Sequence, residues 1–305
     1  MTSSADSSSL PLSILTLLCD KIQTLANTKM LKNVLKYIYC KLNSSSKYGA
    51  TLLDVVRTFP DHAPFSSGSY IQRALLTTRS IALFPDALYR LILQLEFPVV
   101  PLVAADEFMH LADLDTINTL EALFVKELSD KSIHHDYHKI YGSLFDDPQE
   151  VESVVEIGIG TNSKAFTSHM PTDYVTGGSL RAFSHFFPNS TVFGLDIDRK
   201  TFFTTERIQC MWIDQMDASS FNQLDSLPQK IDLLIDDGLH CPLANLNTLI
   251  FALRRLSDKG ILIIEDIGSK SLLWWRVIGS ILRSKGWSPT IVKAKHGYLF
   301  VLSSF

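Results

Sequence analysis

Short apolar runs recur at regular intervals after residue 150, and segments with helical patterns separate them. Five of these runs are Ser153–Ile157, Thr191–Asp196, Ile208–Ile213, Ile231–Asp236 and Ile261–Glu265. Nearly continuous Val, Ile and Leu indicate strands that are buried on both faces, and intervening helices allow parallel pairing. Thr290–Ala294 and Tyr298–Ser303 flank a short turn and indicate a hairpin. We therefore predict an α/β fold: a doubly wound, mostly parallel, seven-stranded sheet with a C-terminal antiparallel hairpin.

The first third of the chain has a different pattern. Apolar residues recur at three- and four-residue spacing from Leu12, and helical patterns follow at Ser69–Thr78, Asp86–Leu95 and Asp115–Leu128. No convincing β alternation precedes residue 150. We predict a helical accessory or lid domain over residues 1–115 and the sheet domain over residues 116–305.

Charge and cysteine content exclude several classes of partner. The formal net charge is −4, which gives no support to a surface that binds nucleic acid. The four cysteines have neither metal-ligand spacing nor the density of a disulfide scaffold, as expected of reduced cytoplasmic thiols. No uninterrupted apolar stretch is long enough to span a bilayer. We expect a cytoplasmic protein without a nucleic-acid or membrane partner, and the sequence leaves a homo-oligomer open.

Ligands of an open parallel sheet bind beyond the carboxyl ends of its strands. The first strand ends with Glu156, followed by Gly158 and Gly160, and glycines here let the backbone turn tightly and approach a nucleotide. A dinucleotide fingerprint would have a further glycine where this chain has Ser163. An ordinary strand-to-helix turn, with Glu156 as a surface carboxylate, is the alternative interpretation.

The second and third strand ends also carry polar residues. Asp196 is positioned to accept hydrogen bonds from both hydroxyls of a ribose, whereas Asp198 is better explained as a helix N-cap. The third strand leads into Asp214 and Gln215, where a side chain could receive an adenine amino group. A polar loop without a ligand is the alternative there.

Paired carboxylates end the fourth and fifth strands. The fourth ends in Asp236 and Asp237, with His240 three residues further on, and the fifth ends in Glu265 and Asp266. Clustered acids without a cation would raise one another's pKa, and oxygen ligands suit a hard cation such as Mg²⁺. The alternative interpretation is that these acids bind no metal and are solvated carboxylates or helix caps. We interpret His240 as a general base beside the acids.

The joint order of these motifs resembles that of class I S-adenosylmethionine (SAM)-dependent methyltransferases. It is most similar to the metal-dependent macrolide-sugar O-methyltransferases of natural-product biosynthesis. The resembling stretch includes Asp130-Lys131, His135-Asp136-Tyr137, Glu156-Ile157-Gly158-Ile159-Gly160, Gly194-Leu195-Asp196-Ile197-Asp198, Asp214-Gln215, Asp236-Asp237-Gly238-Leu239-His240 and Ile264-Glu265-Asp266-Ile267.

The resemblance implies a set of roles for the strand-end residues. It implies a SAM site, to which we assign Glu156, Gly158, Gly160, Asp196, Asp214, Gln215, Asp236 and, near the cofactor entrance, Tyr137. It implies Mg²⁺ on Asp237, Glu265 and Asp266, and His240 as the base. The chain departs from the pattern at Thr161-Asn162, which replaces a further glycine.

We therefore predict a SAM-dependent, Mg²⁺-dependent O-methyltransferase that acts on a hydroxyl of a small molecule, such as a sugar, a polyol or another natural product. A metal-independent N-methyltransferase of small molecules and a non-catalytic SAM-binding scaffold are the alternatives. An NAD(P)-dependent oxidoreductase would share the sheet and Asp196, but neither the hairpin nor the paired acids. A nucleic-acid methyltransferase would need a basic channel. The sequence does not identify the acceptor.

Overall fold

A computed structural model describes residues 70–109 and 114–303. The helical pattern predicted from Leu12 onward lies outside the described residues, as does most of the predicted lid domain. The compact unit that holds the sheet begins at Pro85, and the predicted boundary between residues 115 and 116 stays a prediction. Among the helices of the described part, none has the length and apolar character needed to cross a membrane.

In the described residues, eight strands form one sheet, in the order β1-β7-β8-β6-β5-β2-β3-β4. The strands are β1 (Leu102–Ala104), β2 (Ser153–Ile157), β3 (Thr191–Asp196), β4 (Ile208–Trp212), β5 (Ile231–Asp236), β6 (Leu256–Ile267), β7 (Ser288–Lys293) and β8 (Tyr298–Ser303). The helices are α1 (Tyr70–Gln94), α2 (Ala105–Phe108), α3 (Leu114–Lys126), α4 (Asp130–Ile133), α5 (Tyr137–Gly142), α6 (Gly178–Phe186), α7 (Pro242–Arg255) and α8 (Leu272–Arg283).

The predicted fold class is confirmed. Neighbouring strands pair in parallel, except that β8 runs antiparallel to both β6 and β7. The sheet nevertheless has eight strands instead of the predicted seven. The additional strand, β1, precedes residue 150 and pairs with β7 at the sheet edge. Its three residues are apolar but exposed or half-buried, and Pro98 and Pro101 interrupt the apolar run in which they lie.

Two predicted helices are shorter and tighter than expected. The pattern over Arg199–Glu206 forms a single 3₁₀ turn, Arg199–Thr201, and the pattern over Ala218–Leu224 forms the 3₁₀ helix Ala218–Gln223. Asp198 caps the first of these turns, because its side chain accepts a hydrogen bond from the backbone of Lys200 at 3.0 Å. The predicted capping role of Asp198 is thus confirmed.

Helices cover both faces of the sheet. The pleat of each strand determines which of its side chains pack against the helices on one face and which against those on the other. Val154 of β2 packs into a core shared with α3, α5 and α6, whereas Val155 and Ile157 pack into the opposite core with α7 and α8. Successive residues of a strand alternate between faces. Glu156 therefore points into the layer of α5 and α6, where it is completely buried.

The strand order reverses between β2 and β5. From β2 the chain proceeds outward to β3 and β4, whereas β5 pairs with the other side of β2, with Ile157 opposite Asp236. In sheets of this kind, ligands bind in the crevice beyond the carboxyl ends of the two strands at which the order reverses. The loops that begin at Gly158 and Asp237 line this crevice.

Candidate active site

The glycine turn after β2 passes directly beneath the turn after β5. Gly158 has a φ of +88°, and a β-carbon on it would lie 2.1 Å from the backbone oxygen of Asp237. Gly160 also has a positive φ, +87°, and a β-carbon there would meet the ring of Tyr174 at 2.4 Å. Both positions therefore require glycine, on conformational and steric grounds.

Asp196 ties the glycine turn to the end of β3. Its carboxylate accepts a hydrogen bond from the backbone N–H of Ile159 at 3.0 Å and another from Asp198 at 2.8 Å. Burial raises the pKa of Asp196, and these backbone hydrogen bonds oppose the increase. Each carboxylate oxygen can accept more than one hydrogen bond. The predicted contact with a ribose is therefore compatible with this geometry.

Gln215 and Asp236, both assigned to the cofactor, form a buried network that holds the turn after β5. The Gln215 amide donates to Asp236 at 2.8 Å and to Thr248 at 3.1 Å, and its oxygen accepts from the backbone of Leu239 at 2.8 Å. Asp236 also accepts from Asn245 at 3.1 Å. Within the described structure the two side chains shape the Asp237 turn, and their contact with a cofactor stays a prediction.

Asp214 lies beside this network and is largely buried. Its side chain accepts a hydrogen bond from the backbone of Met216 at 3.0 Å. This contact orders the loop after β4, where the sequence predicts the adenine group.

Three polar side chains from the ends of β5 and β6 converge at the crevice. Asp237, His240 and Asp266 each offer a ligand atom within 4.8 Å of the others, and all three are partly exposed. The Nε2 atom of His240 is 3.9 Å from Asp237 Oδ1 and 3.8 Å from Asp266 Oδ2. We call this set the outer cluster. These separations are wider than hydrogen bonds and leave room for an ion between the side chains.

Two members of the outer cluster have unusual backbone conformations. His240 and Asp266 both have φ of +53°, in the left-handed region that residues other than glycine seldom adopt. Such conformations tend to accumulate at functional sites, because the surrounding structure must hold them in place. The hydroxyl of Tyr137 donates to Asp266 at 2.5 Å, so this predicted cofactor residue directly contacts the outer cluster.

A second acidic group lies deeper and surrounds a lysine that the sequence did not assign to a site. Lys131 Nζ is 2.6 Å from both Asp237 and Glu265 and 3.2 Å from Glu156. We call Lys131 and these three carboxylates the inner cluster. Asp237 belongs to both clusters. The hydroxyl of Tyr141 donates to Glu265, so that each oxygen of this carboxylate has a partner.

Burial and charge shift the pKa values of the inner carboxyl groups. Burial raises the pKa of Glu156 to about 7, although Lys131 and a 2.6 Å hydrogen bond from Ser179 oppose the increase. Burial and the neighbouring Asp237 raise the pKa of Glu265, against the attraction of Lys131. The two clusters place four carboxyl groups around a single ammonium group, so that the uncharged forms of Glu156 and Glu265 are favoured in the absence of another cation. An additional cation would stabilise the ionised carboxylates.

The chemistry of the donors fits a hard divalent cation. Asp237 and Asp266 supply oxygens on the open side, and His240 lies between them. Glu265, the third predicted ligand, is buried and directed toward Lys131 and Tyr141. A role for Glu265 in binding a cation would require one of its oxygens to serve both a protein donor and the ion. The predicted set of Asp237, Glu265 and Asp266 therefore stays a prediction.

The chain is similar in sequence to several O-methyltransferases. It is 29% identical over 171 residues to the 8-demethyl-8-α-L-rhamnosyl tetracenomycin-C 2'-O-methyltransferase of Streptomyces olivaceus, covering 56% of this chain and 43% of that enzyme. It is 33% identical over 115 residues to the demethylmacrocin O-methyltransferase of Streptomyces fradiae, covering 37% of this chain and 27% of the enzyme. Its curated relatives are O-methyltransferases. No family model matches the chain.

The solved structures that resemble the chain include MycE, a methyltransferase of the mycinamycin biosynthetic pathway, in complex with Mg, SAH and mycinamycin VI. The sequence identity is 27% and the TM-score 0.42, with 48% of this chain and 36% of MycE covered. The chain spans less than half the length of the curated relatives it matches.

Proposed function

We propose that this protein is a SAM-dependent O-methyltransferase that uses a divalent cation, Mg²⁺ by preference, and acts on a hydroxyl of a small molecule. The observation that carries the proposal is the meeting of the glycine turn and the outer cluster at the strand reversal. The main-chain contact between Gly158 and Asp237 brings the two sites together. The similarity to sugar O-methyltransferases supports the same reaction class.

On the cofactor side, the chain offers a close backbone turn and two buried acids. Gly158 and Gly160 allow close approach, and Asp196 has acceptor capacity for a ribose. Glu156 lies beneath the same turn, held by Ser179. SAM bound there would supply an electrophilic methyl group. We assign Asp214, Gln215, Asp236 and Tyr137 supporting positions around it.

On the acceptor side, the outer cluster would act on the hydroxyl. A divalent cation held by Asp237 and Asp266 would favour loss of the proton from an acceptor hydroxyl. His240 would receive that proton at Nε2, the nitrogen that faces both carboxylates. The left-handed backbone of His240 keeps the imidazole at the crevice.

Methyl transfer from labelled SAM to a panel of glycosides and polyols tests the proposed function. We expect transfer to a hydroxyl, loss of transfer in EDTA and recovery with Mg²⁺. Full activity in EDTA would contradict the use of a cation, and transfer only to amines would favour an N-methyltransferase. SAM binding without transfer to any of the acceptors would favour a non-catalytic scaffold.

The role of His240 is tested with two variants. His240→Ala should lower turnover by roughly 10²–10⁴-fold and leave the affinity for S-adenosylhomocysteine (SAH) unchanged. His240→Asn keeps a residue that tolerates the left-handed backbone, and it should be equally impaired. His169→Ala removes an exposed histidine, which contacts the neighbouring Met170, and serves as the control. Normal turnover in either His240 variant would refute the role of base.

We further propose that residues 1–115 cover the acceptor side as a lid or an oligomer contact and thereby exclude water. Deleting residues 1–84, which leaves β1 and the unit that holds the sheet intact, should impair transfer more than SAH binding. A truncated protein with full activity would show that this part of the segment is dispensable. We propose a cytoplasmic location, which the free thiols of Cys210 and Cys241 support.

A further inference from the structure

Lys131 occupies a buried position that the proposed reaction does not explain. It lies in α4, its side chain is 2% exposed, and its ammonium contacts Asp237, Glu265 and Glu156 at 2.6, 2.6 and 3.2 Å. A lysine ammonium has three N–H donors and no acceptor. Two of the donors hydrogen-bond Asp237 and Glu265, whereas Glu156 is an ion-pair neighbour whose nearest oxygen accepts no hydrogen bond. The surroundings of Lys131 are thus matched to an ammonium group in charge.

The three carboxylates come from three different strand ends, 25 to 134 residues from Lys131 in the sequence. An unpaired charge at this depth would be costly, and removing one partner of a buried pair is strongly destabilising. Three like charges facing one another would also be unfavourable without a cation between them. Lys131 thus allows Glu156, Asp237 and Glu265 to lie close together in the folded chain.

Lys131 also determines which way two of these carboxylates face. It binds Oδ2 of Asp237, and the other oxygen, Oδ1, faces Nε2 of His240 in the outer cluster. It binds Oε2 of Glu265, whose other oxygen accepts from Tyr141. The inner oxygen of Asp237 is therefore fixed, and the outer oxygen is left available to a cation.

We propose that Lys131 is a positioning residue, whose ammonium orients Asp237 and Glu265 for the cation site and separates both from Glu156 on the cofactor side. The proposal rests on the proposed function, because it assumes that the outer cluster binds a divalent cation. Lys131 touches none of the reacting groups and acts through the carboxylates that it holds.

Positioning and simple charge compensation predict opposite effects on metal binding. Replacing Lys131 with methionine removes a positive charge beside Asp237 and makes the site more negative. If Lys131 only compensated charge, a divalent cation would bind more tightly to the variant. If Lys131 positions the ligands, the cation binds more weakly, by roughly 10- to 100-fold, as when other groups that orient metal ligands are lost.

Electron paramagnetic resonance of free Mn²⁺ measures this affinity directly in the full-length protein. We expect 10- to 100-fold weaker binding in Lys131→Met and unchanged binding in Lys139→Met. Lys139 is partly exposed on α5 and contacts Asp136 at 3.5 Å, which makes it a matched control. Equal or tighter binding by folded Lys131→Met would overturn this proposal alone. Absence of Mn²⁺ binding by the wild type would overturn the cation in the proposed function, and this proposal with it.

A partly charge-compensated variant keeps the test decisive if Lys131→Met does not fold. Lys131→Met combined with Glu156→Gln removes the ammonium together with one of the carboxyl groups that it faces, so that the inner cluster gains less negative charge than in the single variant. Mn²⁺ affinity should remain as low as expected for the single variant, because Asp237 and Glu265 would still lack the hydrogen bonds from the Lys131 ammonium. Recovery of wild-type affinity in the double variant would show that Lys131 contributes only charge.

Discussion

Gly158→Ala tests the close approach between the two turns, on which both proposed sites depend. Alanine at a φ of +88° costs about 1–2 kcal/mol, because its β-carbon crowds the backbone. The same β-carbon would lie 2.1 Å from the Asp237 carbonyl oxygen, which is too close for any contact, so one turn must move. Overpacking of this kind costs about 1–3 kcal/mol more. We expect a total loss of about 2–5 kcal/mol in the free energy of unfolding.

Gly286→Ala is the matched control for this substitution. Gly286 has nearly the same φ, +90°, but a β-carbon there would have no atom within 4 Å. Urea unfolding should show only the conformational cost, about 1–2 kcal/mol, for the control. Calorimetry should show SAH affinity at least about tenfold lower for Gly158→Ala, equivalent to about 1.4 kcal/mol, and unchanged for Gly286→Ala. Equal stability and equal SAH affinity of the two variants would refute the reasoning.

Two further predictions concern the buried acids on the cofactor side. Asp196→Ala should weaken SAH binding by about 1.5–3 kcal/mol in calorimetry, because the ribose loses its charged hydrogen-bond acceptor. Unchanged SAH affinity in a folded variant would contradict the assignment of Asp196 to the cofactor. The pKa of Glu156 rises from 4.5 to about 7 on folding, so its contribution to stability is present below pH 4.5 and is lost as the pH rises through 7. Between pH 4.5 and 8, the free energy of unfolding of the wild type, measured in urea, should therefore fall by up to about 3 kcal/mol more than that of Glu156→Gln. An identical pH dependence of the two proteins would contradict a buried, ionisable Glu156.

The sheet could be predicted because buried parallel strands have a strong compositional signal. Runs such as Ile231–Asp236 are apolar throughout, and the helices between them indicate the direction of pairing. The edge strand β1 has a weaker signal, since Pro98 and Pro101 interrupt the apolar run that contains it and proline is unfavourable within a sheet. The segment after Asp198 was predicted as a longer helix, but its backbone becomes extended at Phe202 after one 3₁₀ turn. Tertiary packing, which local propensity does not include, determines that boundary.

The acids of the candidate site could be predicted because topology places the ends of adjacent parallel strands together. Their partners could not be predicted in the same way. Lys131 lies on a four-residue helix and is separated by 106 residues from Asp237, so that no local spacing relates them. The resemblance included Lys131 without giving it a role. Tyr137 was assigned to the cofactor entrance, whereas its hydroxyl contacts Asp266, a relation that only the three-dimensional structure reveals.

The position of a bound cation relative to the cofactor tests the central claim most directly. Crystals grown with SAH and MnCl₂ allow Mn²⁺ to be located from its anomalous scattering. The proposed function predicts a peak in contact with Asp237 and Asp266, with SAH beside the Gly158–Gly160 turn. A peak that touches neither carboxylate, or SAH bound away from this turn, would contradict the account.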